Sequence, residues 1–242
     1  MATDNENVLT ALKEGAFALE GQFVYGSNYT FMVDCTYQEQ TFRAVYKPAR
    51  GERPLWDFPH QTLSQREVAA FLVSEALGWG LVPPTVYREK ETPIGPGSAQ
   101  LFIEHNPDKH FFNFNENERQ HLPEVMAFDL LVNNADRKAG HLLIDPAGKV
   151  WLIDHGLCFH AEDKLRTVIW DLAGDPLPEN LLTDVAGLLP QLEPHSGLTQ
   201  ELRPLLLSEE IEALRHRAEQ MLTEGRFPMP PEDRRAYPWP LV

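Results

Sequence analysis

The chain has 242 residues and a mass of 27.6 kDa, with 21 Lys and Arg against 36 Asp and Glu, a formal charge of −15. A hydrophobic content of 43% is enough to bury a core, no run of eighteen apolar residues offers a membrane span, and the acidic excess disfavours phosphate backbones and anionic lipid surfaces as partners. The polar, acidic opening Met1–Asn7 is unlike a secretory signal, and Cys35 and Cys158 are too few for a disulfide framework or a cysteine zinc cage, so a soluble cytoplasmic protein is expected.

Residues Ala16 to Asp34 read as two strands, rich in Phe, Val, Tyr and Thr, around a turn at Tyr25-Gly26-Ser27-Asn28. Phe42 to Lys47 alternates as a third strand stopped by Pro48, and a loop dense in proline and aromatics follows (Pro54, Trp56, Phe58, Pro59). Ser64 then opens a helix. Glu67 stands three residues on, as in a capping box, Val68 to Leu77 supply the apolar face, and Gly78 ends it. Val82–Tyr87 and Ser98–Ile103 read as two more strands, which makes the first hundred residues a small antiparallel sheet carrying one helix.

The second half changes character. Pro123 starts a helix with Val125, Phe128 and Val132 at helical spacing, and it runs into the polar loop Asn133–His141. Leu142–Asp145 and Lys149–Asp154 form a hairpin around Pro146-Ala147-Gly148. From Leu177 helices dominate, the last beginning near Ser208 with acids in its first turn, and the Pro-rich tail Phe227–Val242 is expected to wrap the surface. Sheet first and helices second predict an α+β fold of two lobes, residues 1–104 and 105–242.

The chemistry concentrates between Asp136 and Gly156. Asp136 follows an apolar helix, Asp154-His155-Gly156 ends a strand, and the tight hairpin between them lets both carboxylates face one cleft. Phosphoryl transfer requires such a pair, one carboxylate to orient a hydroxyl and accept its proton, another to hold the Mg²⁺ on the phosphates of ATP, with a cation opposite. Lys47 suits that cation, and strand alternation puts Val45 on the same face, where it would cover adenine. The apolar flanks Leu152, Ile153 and Leu157 make an unpaired Asp154 costly, so a metal or a basic partner is expected there.

On Ala44-Val45-Tyr46-Lys47-Pro48, Gln65–Ala70, Asp129–Arg137 and Ile153-Asp154-His155-Gly156, spanning roughly Gly21 to Gly174, the sequence resembles kinase-fold phosphotransferases of the phosphatidylinositol 3-/4-kinase-like branch, which includes the HipA-like bacterial kinases. More narrowly, it is similar to a bacterial family, seen mainly in actinobacteria and chloroflexi, with the same run of motifs. The resemblance implies a protein-kinase-like bilobal fold in which Lys47 binds ATP phosphates, Glu67 pairs with Lys47, Asp136 orients the acceptor with Lys138 beside it, and Asp154 binds metal. It also implies a hinge over Gln100–Glu104, with Phe102 and Glu104 at the adenine, and phosphate contacts at Ser27 and Asn28. A Glu67 folded back on Ser64 could not easily also reach Lys47.

Three departures from the resemblance bear on mechanism. The turn at Tyr25–Tyr29 has one glycine, Lys138 stands where the lipid kinases usually have His, and His141 stands where an Asn usually completes the metal site. Imidazole prefers Mn²⁺ or softer ions to Mg²⁺, so tolerance of Mn²⁺ is expected. Asn134 is expected to brace the loop, Lys164 and Arg166 to be either a solvated face or a site for an anionic acceptor, and His155, Cys158 and His160 are too poorly spaced for zinc. The expected activity is transfer of the γ-phosphate of ATP, with Mg²⁺ or Mn²⁺, to a hydroxyl of a protein or soluble small molecule, without nucleic acid or membrane insertion. A pseudokinase-type nucleotide-binding module and a transferase of AMP are the alternatives.

Overall fold

The structure, a computed structural model, describes residues 2–23 and 28–242. It opens with a helix that the polar start of the chain did not announce, α1 (Ala2–Glu14). Five antiparallel strands follow, β1 (Ala16–Gln22), β2 (Phe31–Tyr37), β3 (Gln40–Pro48), β4 (Thr85–Arg88) and β5 (Gly97–Leu101), in the order β1-β2-β3-β5-β4. Gln38 and Glu39, both at positive φ, make the two-residue turn that joins β2 to β3 with Tyr37 opposite Gln40. Along β3, Ala44, Tyr46 and Pro48 are buried while Val45 and Lys47 are half-buried on the other face. Leu12 of α1 joins Val33, Ala44, Tyr46 and Ala99 in a small core on one side of the sheet. Gly97 is dictated by close approach, since a Cβ there would stand 2.3 Å from the Lys47 carbonyl oxygen.

Helix α2 (Leu63–Ala76) lies between β3 and β4 in sequence and packs both against β4 and β5 of the sheet and against the helix Gly197–Leu202 of the helical body. Its Ala69, Ala70, Phe71 and Val73 belong to the large core, so packing crosses the expected division at 104. The capping box expected at Ser64 does not form. The helix starts one residue earlier, Thr62 makes no side-chain cap, and the Glu52 carboxylate accepts from the N–H groups of Leu63 (3.0 Å) and Ser64 (2.8 Å). A carboxylate from a preceding loop thus satisfies the orphan donors at the positive end of the helix dipole and leaves Glu67 free. The buried Arg66 fixes the helix further, pairing with Glu210 at 2.5 Å and donating to the Cys158 carbonyl at 2.6 Å.

The rest of the chain supplies α3 (Glu116–Arg119), α4 (Leu122–Val132), a hairpin of β6 (Leu142–Ile144) and β7 (Val150–Leu152), and α5 (Glu179–Leu188), α6 (Gly197–Leu202) and α7 (Ser208–Glu224). Helix α4 is apolar almost all round and accordingly buried; Asn133, left-handed at φ 53, ends it and releases the chain into the loop containing Asp136. The tail runs along the segment after Asp154. Its Ala236 carbonyl accepts from Thr167 N and Trp170 Nε1, and its Leu241 carbonyl accepts from Ala139 N at 2.8 Å. Among the described residues no helix is long and apolar enough to cross a membrane.

Candidate active site

The alternation of β3 turns Lys47 into the cleft, where two carboxylates from elsewhere in the chain meet it. Its ammonium pairs with Glu67 of α2 and donates to Asp154 Oδ1 at 2.9 Å. Burial opposes the charge, but Asp154 and Glu67 outweigh it and hold Lys47 above the ordinary lysine range. Lys47 in turn holds Asp154 well below the usual carboxylate range, whereas burial raises Glu67 against the pull of Lys47. The second Glu67 oxygen accepts from the backbone N–H of His155 at 2.9 Å. One carboxylate therefore ties α2 to both β3 and the strand end that carries Asp154.

Asp154 sits at φ 65, a left-handed conformation that Asp tolerates better than most residues. The apolar flanks called for a metal or a basic partner at Asp154; Lys47 is that basic partner, and the Asp154 side chain is 49% exposed in the cleft. His141 Nε2 stands 3.3 Å from its second oxygen. Burial pushes His141 down to about 4, so the imidazole is neutral at pH 7, the form that can ligate a metal.

Asp136 lies across the cleft, half-buried. Its backbone N–H donates to Asn134 Oδ1 at 2.9 Å, and Asn134 Nδ2 donates to Asp129 of α4 at 3.0 Å, the bracing expected of Asn134. Lys138 Nζ is 3.1 Å from Asp136 Oδ2. Burial raises the Asp136 carboxyl against the opposing charge of Lys138, which favours proton acceptance relative to an ordinary aspartate. Beneath the loop lies a network that the sequence reading missed. The wholly buried Arg137 pairs with Asp129, donates to the Ile153 carbonyl at 2.9 Å and meets His155 Nε2 at 2.9 Å. The loop of Asp136 and the turn of Asp154 are thereby held on one guanidinium.

Two cavities share Lys47 and Asp154. The larger, about 290 Å³, is lined by Val45, Phe102, Ile103, Leu143 and Ile153, an apolar slot between sheet and hairpin. The smaller, about 90 Å³, is lined by Asn28, Glu52, Glu67, Asp136 and Gly156. Val45 and Phe102 thus face one space, Asn28, Glu67 and Asp136 the other, and Lys47 both. Asn28 Oδ1 accepts from Arg53 N at 2.7 Å, and Ser27 lies outside the described residues. Glu104 does not line the slot; its side chain pairs with Arg43 at the exposed edge, which leaves only its backbone for the expected contact. Lys164 is held by Asp57 at 3.1 Å under the 91% exposed Trp56, and Arg166 N donates to the Asn134 carbonyl. Cys158 is buried, His155 meets Arg137, and His160 contacts the Asp57 carbonyl, so the three do not converge.

A small antiparallel sheet above a helical body, with a cleft between them, is the protein-kinase-like architecture. Solved structures of that fold align over most of the chain. A Golgi casein kinase with Mn and ADP bound is 16% identical, with a TM-score of 0.60 over 92% of this chain and 75% of that one. Hydra Fam20 with sugar is 15% identical, with a TM-score of 0.56 over 93% and 89%, and the Helicobacter pylori proinflammatory kinase CtkA is 11% identical, with a TM-score of 0.55 over 89% and 94%. More specifically, residues 32–226 match the phosphatidylinositol 3- and 4-kinase family, and the chain belongs to it. Protein Rv2133c of Mycobacterium tuberculosis is 38% identical over 270 residues, 98% of this chain and 95% of its own.

Proposed function

We propose that the protein is an ATP-dependent phosphotransferase acting on a hydroxyl of a protein or soluble small molecule. The observation that carries this reading is the convergence of Lys47, Glu67 and Asp154 at a cleft with Asp136 on its far wall. The purine would lie in the apolar slot beneath Val45 and against Phe102, with the backbone around Ile103 and Glu104 as its polar edge. Lys47 would exchange part of its bonding to Asp154 for the phosphates, and Glu67 would keep it in place. Asp136 would orient the hydroxyl and take its proton, with Lys138 balancing the charge. The division into a nucleotide-covering part, residues 1–104, and a catalytic part, 105–242, belongs to the same reading, with α2 the exception noted above.

Asp154 and His141 would hold a divalent cation. Among the described residues no group of three or more His, Cys, Asp or Glu side chains is placed to cage a metal, and a two-ligand set suits an ion that takes its remaining ligands from phosphates and water. Such an ion would neutralise the triphosphate. The Mn-bound casein kinase of the same fold supports metal use, and the imidazole favours Mn²⁺. His141→Asn is expected to shift the Mn²⁺-to-Mg²⁺ activity ratio several-fold toward Mg²⁺; an unchanged ratio removes His141 from the metal site.

The test uses ATP labelled at the γ or at the α phosphorus, incubated with the protein and an extract of cells that contain it. Transfer of the γ label alone, lost in Asp136→Asn, is the expected result. Transfer of the α label would instead mark a nucleotidyl transferase, and transfer of neither would leave the phosphotransferase reading without support.

A further inference from the structure

The segment after Asp154 meets the loop of Asp136 twice and bulges into solvent between, at Ala161, Glu162 and Asp163. Before the bulge, Ala135 N donates to the Leu157 carbonyl and Phe159 N to that of Val132. After it, Arg166 N donates to the Asn134 carbonyl and Arg137 N to that of Arg166. On the body side Asn133 holds the bulge, donating to the His160 and Glu162 carbonyls and accepting from Lys164 N. The opposite contact comes from the loop that joins β3 to α2. There Lys164 Nζ pairs with Asp57 Oδ2 at 3.1 Å, the two side chains only 11% and 13% exposed; Glu162, at 3.6 Å, is 79% exposed. His160 Nδ1 accepts from Glu162 N at 3.0 Å, which leaves the ring proton on Nε2, and Nε2 donates to the Asp57 carbonyl at 2.9 Å. Phe58 packs edge-on against the His160 ring, with the Arg66 guanidinium over its own face.

Segments of this kind in protein kinases are commonly ordered by phosphorylation, which brings a charge to a basic partner. This one offers a phosphate no accessible place. Thr167 is the single hydroxyl residue between Asp154 and Trp170, and it is wholly buried, with Oγ1 accepting from Ile169 N at 3.1 Å. The charge comes from within the chain instead. We infer that Asp57 is a positioning residue: its pair with Lys164 holds the bulge and, through Asn133 and Asn134, the backbone of Asp136. A pair so little exposed is screened far less than one at the surface. The same loop carries Glu52, the cap of α2, so one connection reaches both the helix of Glu67 and the segment beside Asp136. The consequence for turnover rests on the phosphotransferase reading, whereas the consequence for backbone order does not.

The test is amide hydrogen exchange on the full-length protein, read beside γ-label transfer into a fixed amount of cell extract. Asp57→Asn and Lys164→Met are each expected to speed exchange at least fivefold over residues 159–166 and 133–137 and to leave β2 unchanged. Each should also lower the rate at saturating ATP at least fivefold, with the half-saturating ATP concentration within twofold of the parent's, because neither residue lines the nucleotide slot. The swapped pair, Asp57→Lys with Lys164→Asp, should recover most of both losses. Unchanged exchange in both single variants, or a swapped pair no better than either, would overturn the inference. Faster exchange with an undiminished rate would remove Asp57 from the positioning of Asp136. A parent protein that transfers no label would count against the phosphotransferase reading, and exchange alone would then decide whether the pair holds the segment.

Discussion

The two cores of the molecule differ greatly in size. Five buried residues on one face of the sheet, Leu12, Val33, Ala44, Tyr46 and Ala99, hold the upper lobe, whereas a continuous core runs from Ala69 of α2 to Phe227 in the body. Lys47 rides on the thin part, and both of its carboxylate partners belong to the thick one. Glu67 is on a helix pinned by Arg66 to α7 and to Cys158, and Asp154 follows β7. The body therefore dictates where the ammonium sits. Swinging α2 outward, a movement that would part Lys47 from Glu67, would require breaking a buried ion pair.

The largest effect should come from that pin. Glu210→Ala leaves Arg66 buried and unpaired, a loss of about 3–5 kcal/mol, or roughly 6–20 °C in midpoint for a chain of this size. Arg66→Met with Glu210→Leu should recover most of it, and a Glu210→Ala protein that melts like the parent would show that α2 is not anchored there. Leu12→Ala comes next, at about 2–4 kcal/mol. Its signature is local, with hydrogen exchange faster through β1–β5 and unchanged in α4 and α7. Uniform acceleration would make the two cores one cooperative unit.

A smaller effect is a pH dependence confined to the sheet. Burial pushes the Cys35 thiol up to about 11, against roughly 8.5 in an unfolded chain. Between those values the unfolded chain ionises while the folded one does not, so the contribution is complete below about pH 8.5 and is lost as pH rises toward 11. The loss amounts to up to about 3 kcal/mol, and Cys35→Ala should flatten the alkaline limb of the stability curve. An unaltered limb would assign the dependence to other groups.

The sequence announced the sheet, α4 and the hairpin because their signals are local: alternation in β3, helical spacing around Phe128, turn residues at Pro146-Ala147-Gly148. That Lys47, Asp136 and Asp154 would face one cleft followed from the strand alternation and the tight hairpin, whereas the pairing of Glu67 with Lys47 came only from the resemblance. Where the determinants were distant, reading failed. The pattern Ser64-x-x-Glu67 satisfies a capping box, but Glu52 takes that role from another loop, which no local window reveals. Helix α1 starts with polar residues, and Leu12 finds its core only once the sheet exists. The Asp129–Arg137–His155 network joins three elements, so no single stretch of sequence displays it.

The most direct test of the proposal that the cleft binds a nucleoside triphosphate is thermal unfolding with and without ATP in Mg²⁺ or Mn²⁺. Nucleotide at ~100 times its dissociation constant adds about 2.7 kcal/mol, which should raise the midpoint by roughly 5–10 °C. Asp154→Asn should lose the metal-dependent part of that rise, while Asp136→Asn keeps the rise and loses γ-label transfer. A parent protein whose midpoint does not move at saturating ATP with either metal would contradict the convergence of Lys47, Asp154 and Asp136 on a nucleotide.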